Sequence, residues 1–324
     1  MAKTRFYQGT IRAAEEFDAE RQAELLQKAM KGLGTDERRI TQVLVSHNND
    51  QRQEIAAKYK QMYGEDLVKQ LKSELSGCFE DAVLALLIPS RKYDAINVRK
   101  AVKGLGTDEK MLIEILCPRT NADIDVIKQE YKLLYEADVS KVVESELSGD
   151  FKRVIVAQLE GNREETDIDM EKVEKDAQDL YDAGEAIVGT DESVFNKVLC
   201  MRSFPHMAEV FERYKTVAGK SISDSIKSET SGLFQESLLA IVDCTIDLPA
   251  FYAERLHKTM AGAGTDDDQL IRLLVSHSET DLADIKEAYF KKYDKSLRQM
   301  ISEDTSGDYK RLLCAIVEGN VTPP

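Results

Sequence analysis

Tryptophan is missing from this 324-residue chain, and histidine, cysteine and proline are scarce, with four, five and six copies. The histidines form neither an HExxH motif nor a His-x-His pair, and no nucleophile, base and orienting group can be assembled from sequence motifs. We therefore do not expect an enzyme. The odd number of cysteines and the lack of CxxC spacing favour buried thiols in a reducing compartment over disulfides, metal ligands or a nucleophile.

Long apolar stretches are missing as well, because no run of about eighteen apolar residues that could cross a bilayer occurs. Residues 1–6 contain no apolar signal region, and Ala2 excludes N-myristoylation, so we expect a cytoplasmic protein. The formal net charge is −15. Such a chain is repelled by nucleic acid, and also by an anionic membrane unless something reverses the local sign of the charge. We therefore expect no nucleic-acid partner.

A glycine motif occurs four times along the chain. Its first copy is Gly32-Leu33-Gly34-Thr35-Asp36; the copies at 104–108 and 262–266 repeat the Gly-x-Gly-Thr-Asp pattern, and the third, at 184–191, is one residue longer. An acid lies forty residues after the last glycine of each copy, at Glu74, Glu146, Glu229 and Asp304, where it opens an acid-[Leu/Thr]-Ser-Gly-x-[Phe/Tyr] block. These last glycines are 72, 83 and 75 residues apart, which indicates four repeats of about seventy residues.

Paired glycines followed by a distant acid favour a calcium site. Glycine adopts a positive φ without steric cost and has no side chain, so several backbone carbonyls can turn toward one point. Carbonyl oxygens with one carboxylate are hard, flexible ligands, which suit Ca²⁺ better than Mg²⁺ or Zn²⁺. A helix C-cap would explain one glycine, but neither the second glycine nor the acid at constant distance.

The spacing of apolar residues predicts an all-α protein with five helices in each repeat. In the first repeat we expect Asp18 to cap helix one and Thr35 to cap helix two. Helix three should run from about Asp50 and stop before Gly64, helix four should end at Ser76-Gly77, and helix five should stop at Pro89. The glycine loop then joins helices one and two, and the acid lies at the end of helix four. If the helical hairpins pack antiparallel, the carboxylate lies beside the loop.

These motifs resemble the annexin family, whose repeat carries K-G-x-G-T followed by a distant acid in an [LT]-S-G-x-[FY] block. The resemblance implies calcium-dependent, reversible binding to acidic phospholipid membranes of the phosphatidylserine type. It also implies a slightly curved disk of four five-helix repeats with the calcium loops on its convex face. The protein would attach peripherally to membranes when calcium rises, and the resemblance allows self-assembly on membranes. On this basis the chain divides into a tail (1–17), repeats at 18–89, 90–160, 174–246 and 247–320, an acidic linker (161–173) that separates two halves, and a C-terminal tail (321–324).

The resemblance further implies the calcium ligands. They would be the carbonyls of Met30, Gly32 and Gly34 with Glu74; Val102, Gly104 and Gly106 with Glu146; Met260, Gly262 and Gly264 with Asp304; and Gly184, Ile187 and Gly189 with Glu229. Loop three departs from the pattern, because a positive φ at β-branched Ile187 would be strained. Its site would need a membrane to complete it.

The residues at the loop tips are expected to touch the membrane. Apolar side chains flanked by metal ligands at the surface cannot belong to the core, and burying one leucine in an interface stabilises attachment by about 1.5 to 3 kcal/mol. The expected membrane contacts are Leu33, Leu105, Val188 and Ala263, with Lys31 and Lys103 either contacting phosphate or solvated.

Several weaker patterns have competing interpretations. Threonine and glutamate pairs at 35 and 37, 107 and 109, and 190 and 192 fit secondary calcium sites or ordinary helix caps. Asp94, Arg119 and Arg272 match positions that line a polar passage between the halves of annexins. Asn97 stands where the family often has a further acid, which argues against ion conduction and favours a structural salt-bridge network. A rival function is a helical-repeat scaffold that binds a protein and uses Ca²⁺ only structurally, which predicts tight calcium binding without lipid.

Overall fold

The computed structural model describes residues 7–32, 34–104, 106–187 and 189–320, which form helices and no strand. The first two repeats contain α1 (Ala19–Met30), α2 (Glu37–Val45), α3 (Asn49–Tyr63), α4 (Leu67–Glu74), α5 (Gly77–Leu87), α6 (Ser90–Val102), α7 (Glu109–Leu116), α8 (Asn121–Tyr135), α9 (Val139–Glu146) and α10 (Gly149–Glu160). The last two contain α11 (Met170–Ala183), α12 (Glu192–Met201), α13 (Phe204–Ala218), α14 (Ile222–Glu229), α15 (Gly232–Met260), α16 (Asp267–His277), α17 (Leu282–Tyr293), α18 (Leu297–Asp304) and α19 (Gly307–Glu318). The expected all-α fold is confirmed.

Helix α15 combines the last helix of the third repeat with the first helix of the fourth. Its backbone leaves the helical region at Asp247, where φ is −155° and ψ is 92°. Pro249 follows two residues later and has no N–H to continue the helical bonding. The Asp247 carboxylate accepts the Ala250 N–H at 3.1 Å, so a new helix is capped there.

The observed capping residue matches the expected one at the first helix but not at the second. Asp18 accepts the N–H groups of the first turn of α1, as expected. Thr35 does not cap α2, because the cap is Asp36, whose carboxylate accepts the Arg39 N–H at 2.9 Å. Asp108, Asp191 and Asp266 cap the second helix of the other repeats in the same way. The threonine side chain is therefore available for another contact.

The helices pack into two compact units. One unit, Asp94–Phe251, holds most of the second and third repeats, and α10 packs on α7 and α12 within it. The other unit consists of the described residues on either side, so the first repeat pairs with the fourth, and α19 packs on α2, α5 and α16. The expectation that the acidic linker divides the chain into halves was wrong, because that segment lies inside the first unit.

A buried tyrosine in the third helix of every repeat anchors the region where the glycine loop begins. These tyrosines are Tyr59, Tyr131, Tyr214 and Tyr289, each 0% exposed. In three repeats the phenol contacts a residue three positions before the end of the first helix, namely Gln27, Arg99 and His257. In the third repeat it donates to Ser225 at 2.9 Å instead. The start of loop three therefore lacks this anchor.

Candidate calcium-binding loops

Each glycine loop is closed by one backbone hydrogen bond between its two helices. The N–H of the capping aspartate donates to a carbonyl in the last turn of the preceding helix at 2.8 Å in all four repeats. The pairs are Asp36 with Ala29, Asp108 with Ala101, Asp191 with Ala183, and Asp266 with Thr259. This bond fixes the distance between the two ends of the loop in every repeat.

The glycines of loops one, two and four have backbone angles that other residues rarely adopt. Their φ values are +118° and +88° at Gly32 and Gly34, +135° and +90° at Gly104 and Gly106, and +120° and +93° at Gly262 and Gly264. A Cβ added at any of these positions would meet no atom within 4 Å. Backbone conformation, rather than crowding, therefore requires glycine at these positions.

The distant acid lies beside the loop in the first and fourth repeats. The Thr35 hydroxyl is 3.5 Å from a carboxylate oxygen of Glu74, and the Thr265 hydroxyl bonds the carboxylate of Asp304. A separation of forty residues in sequence thus becomes one side-chain contact. Sequence reasoning missed the role of this threonine, although its constant position after the last glycine was a usable signal.

The third and second repeats differ from this arrangement. Thr190 donates to the backbone carbonyl of Glu229 at 2.9 Å, and a Cβ added to Gly184 would lie 3.5 Å from the Glu229 side chain. In the second repeat Glu146 is exposed at the end of α9. Within the described residues no hydrogen bond joins Thr107 to Glu146.

Loop three avoids the strain that its sequence suggested. Among the described residues the only non-glycine positions with positive φ are Glu136 and Asp294, so Ile187 has an ordinary backbone. Its N–H donates to the Gly184 carbonyl at 3.2 Å. An expected ligand oxygen is therefore already hydrogen-bonded. Lys220 contacts Glu185 at 2.5 Å and gives this loop an ion pair.

The donor set fits a hard cation held mainly by carbonyl oxygens. The described residues contain no group of three His, Cys, Asp or Glu side chains that could hold a metal. In the first and fourth repeats one carboxylate lies beside a turn whose glycines have positive φ. Carbonyl oxygens with one carboxylate are ligands that Ca²⁺ accepts. The loops are also exposed, so a bound ion could retain external ligands.

The expected membrane contacts are only partly described. Leu33, Leu105 and Val188 lie outside the described residues, whereas Ala263 is exposed in loop four. Lys31 and Lys103 are exposed and make no ion pair with another described residue. Their contact with phosphate stays a prediction.

Other charged groups have structural roles. Arg119 pairs with Asp94 at 2.7 Å, as a salt-bridge network requires. Arg272 is buried in the other unit. Sequence reasoning missed Asp176, which is 2% exposed and accepts from Arg202 at 2.6 Å and contacts His206 at 3.0 Å. No helix among the described residues has the length and apolar character needed to span a membrane.

Fold and loops together define an all-α protein of four homologous repeats, each with a glycine-containing turn between its first two helices. The annexin family model matches residues 21–86, 93–157, 175–241 and 251–316. The chain therefore belongs to the annexin family.

Individual relatives agree with this assignment. The chain is 49% identical to human annexin A7 over 315 residues, which is 97% of this chain but only 64% of that protein's length. The solved structure of annexin III has a TM-score of 0.94 and 43% identity, and the match covers 97% of this chain and 98% of that one. A calcium-bound annexin (Sm)1 structure has a TM-score of 0.86 and 34% identity, with coverage of 98% and 95%.

Proposed function

We propose that this protein binds acidic phospholipid membranes reversibly in the presence of Ca²⁺. The observation that carries the proposal is the contact between the loop threonine and the distant acid, at Thr35 with Glu74 and at Thr265 with Asp304. It brings one carboxylate to a turn whose glycines have positive φ. Family membership supports the same function, because annexins are calcium-dependent phospholipid-binding proteins.

The loop residues would hold the ion as a shallow surface site. In loop one the carbonyls of Met30, Gly32 and Gly34 and the carboxylate of Glu74 are the proposed ligands, with the equivalent residues in loops two and four. Bound Ca²⁺ would supply positive charge and open coordination positions for lipid phosphate oxygens. One carboxylate with neutral oxygens predicts weak binding alone, on the order of 10⁻⁴ M.

Membrane and calcium must strengthen each other in this arrangement. If lipid supplies the remaining ligands, lipid increases calcium affinity by the same factor by which calcium increases lipid affinity. The net charge of −15 also explains why the protein would leave an anionic membrane when calcium is removed. We therefore propose a cytoplasmic protein that becomes peripheral on membranes when calcium rises. Self-assembly on the membrane stays a prediction.

Loop three is proposed to fill last. Its Gly184 carbonyl already accepts the Ile187 N–H, which leaves one lone pair for an ion, and Glu185 is paired with Lys220. Both contacts favour the present conformation, so occupation needs more calcium or a membrane that compensates for their loss.

The test is sedimentation of the protein with phosphatidylserine vesicles across a calcium titration, followed by chelator. We expect reversible binding in the wild type and a large loss in the triple variant Glu74→Gln/Glu146→Gln/Asp304→Asn. A matched control, Glu16→Gln/Asp125→Asn/Glu209→Gln, removes the same charge from three exposed acids outside the loops and should bind like the wild type. Equal binding in both variants would refute the proposal, because it would show that the three loop acids have no special role in attachment.

The rival scaffold function predicts a different result. Tight calcium binding without vesicles, with no response to lipid, would leave the fold intact but make the ion structural. Phosphatidylcholine vesicles complete the experiment, because binding to them would refute the requirement for acidic headgroups.

A further inference from the structure

Two cavities lie side by side in the unit Asp94–Phe251, next to the non-helical segment 162–169. The larger has a volume of about 540 Å³, and the smaller of about 220 Å³. Glu164, Glu165 and Thr166 line both, so they form a common wall. The larger volume is within the range of ligand pockets, whereas the smaller has room for little more than one side chain. An elongated ligand that spans the wall fits this pair better than a compact one.

The larger cavity has an excess of negative charge. Its lining includes four carboxylates but only one ammonium group, that of Lys172. Glu164 is neutralised by Lys172 and Arg202, each at 2.8 Å. Among the described residues, Glu165 and Asp167 pair with no cation, since Glu165 only accepts the Asn121 amide at 2.9 Å. Two carboxylates at the cavity are thus available to a cationic group.

The smaller cavity has an apolar side formed by Phe204 and Pro205. The Arg163 guanidinium lies 4.4 Å from the centre of the Phe204 ring and fixes its face. That guanidinium donates to the buried carbonyls of Leu199 and Arg202 at 2.9 and 2.7 Å, so its charge is directed into the protein. The cavity can therefore accept an apolar side chain.

The segment itself offers further contacts to an extended ligand. Ile168 is 39% and Met170 is 55% exposed, and both follow the acidic residues directly. In the described structure, no backbone N–H from 165 to 168 donates to a backbone carbonyl. An extended peptide can pair with such a free backbone edge and place alternate side chains on either side.

From these features we propose that residues 163–170 form a docking surface for a basic, amphipathic peptide segment of a protein partner. A lysine or arginine of the peptide pairs with Glu165 and Asp167 in the larger cavity. An apolar side chain enters the cavity beside Phe204, and others cover Ile168 and Met170. Charge complementarity selects this partner, because the two unpaired carboxylates repel an acidic peptide and an anionic lipid surface alike. The surface uses no residue of the calcium loops.

The experiment measures fluorescence anisotropy of a labelled short peptide that alternates lysine with leucine and contains one phenylalanine. The full chain is titrated into it in the presence of a calcium chelator, so that the loops do not contribute. We expect the variant Glu165→Gln/Asp167→Asn to weaken binding about three- to tenfold, as expected for two exposed ion pairs. Ile168→Ser should weaken it separately. The control Asp125→Asn/Glu209→Gln removes two exposed charges from the same unit, and its affinity should equal that of the wild type.

Three results would overturn the proposal. The first is unchanged peptide affinity in Glu165→Gln/Asp167→Asn, or no binding to the wild type. The second is an equal loss in the control variant, which would show attraction to net charge only. The third is equal binding of a peptide in which leucine and phenylalanine are replaced by serine, which would eliminate the apolar contacts.

Discussion

Replacing Gly32 by alanine tests whether the observed loop conformation is the one that binds calcium. Gly32 has φ +118°, and an added Cβ would meet no atom within 4 Å. The substitution therefore causes no clash, and its cost is the backbone strain of an L-residue there, about 1 to 3 kcal/mol. The loop can relax into open space, so the global free energy of unfolding should fall by less than that.

The relaxation should lower calcium affinity. If only the strained conformation presents the carbonyls correctly, its population falls about 5- to 150-fold, because every 1.4 kcal/mol is about a factor of ten. The calcium concentration for half-maximal vesicle binding should rise by the same factor. The assay uses the background Glu146→Gln/Glu229→Gln/Asp304→Asn, in which only loop one keeps its acid.

A matched control lies in the same repeat. Gly64 ends α3 with φ +74°, and a Cβ there would also meet open space. Gly64→Ala should cost about 1 to 2 kcal/mol of stability and leave calcium affinity unchanged. If Gly32→Ala binds calcium like its parent while Gly64→Ala is destabilised as expected, the positive φ is not used in binding and the reasoning fails.

Three further predictions concern the rest of the molecule. Asp176→Asn should lower the free energy of unfolding, measured by thermal unfolding, by about 3 kcal/mol. Burial opposes the charged form of Asp176, but the hydrogen bonds and charge of Arg202 outweigh it and lower the pKa of this carboxyl. The stabilisation by the ionised Asp176 is therefore present above the unfolded pKa of about 3.9 and is lost as the pH falls further. Gly9→Ala should expose the N-terminal segment to limited proteolysis, since a Cβ would overlap the Glu279 backbone. Burial raises the pKa of Cys200 to about 11, so mass spectrometry should find it unalkylated at pH 8 until the protein unfolds.

The local structure of the repeat could be predicted because it depends on short-range rules. Asp18 precedes an amphipathic stretch and caps α1, and Gly64 ends α3 in the left-handed conformation that glycine adopts easily. Thr35 was misassigned because threonine and aspartate both make good caps and adjoin each other here. The aspartate caps the second helix in all four repeats, whether or not the threonine contacts the distant acid, so cap propensity alone could not choose between the two residues.

Loop three shows the same limit. The sequence predicted backbone strain at Ile187, because a β-branched residue stands where the other loops have a glycine with positive φ. The chain instead adopts a tighter turn with ordinary φ at Ile187 and an ion pair between Glu185 and Lys220. Lys220 lies at the junction of α13 and α14, so its contact with the loop could not be read from neighbouring residues.

The sequence by itself determined the number of repeats, the helical class and the glycine turns, because period, helix propensity and backbone freedom are properties of local sequence. The acid that it assigns to each loop stays a prediction. Only the tertiary structure decided that the acidic segment lies inside one compact unit, and that the first repeat shares a unit with the fourth. It also decided which acids face their loops. Contacts between distant segments depend on how helices pack, and many packings satisfy the same apolar pattern.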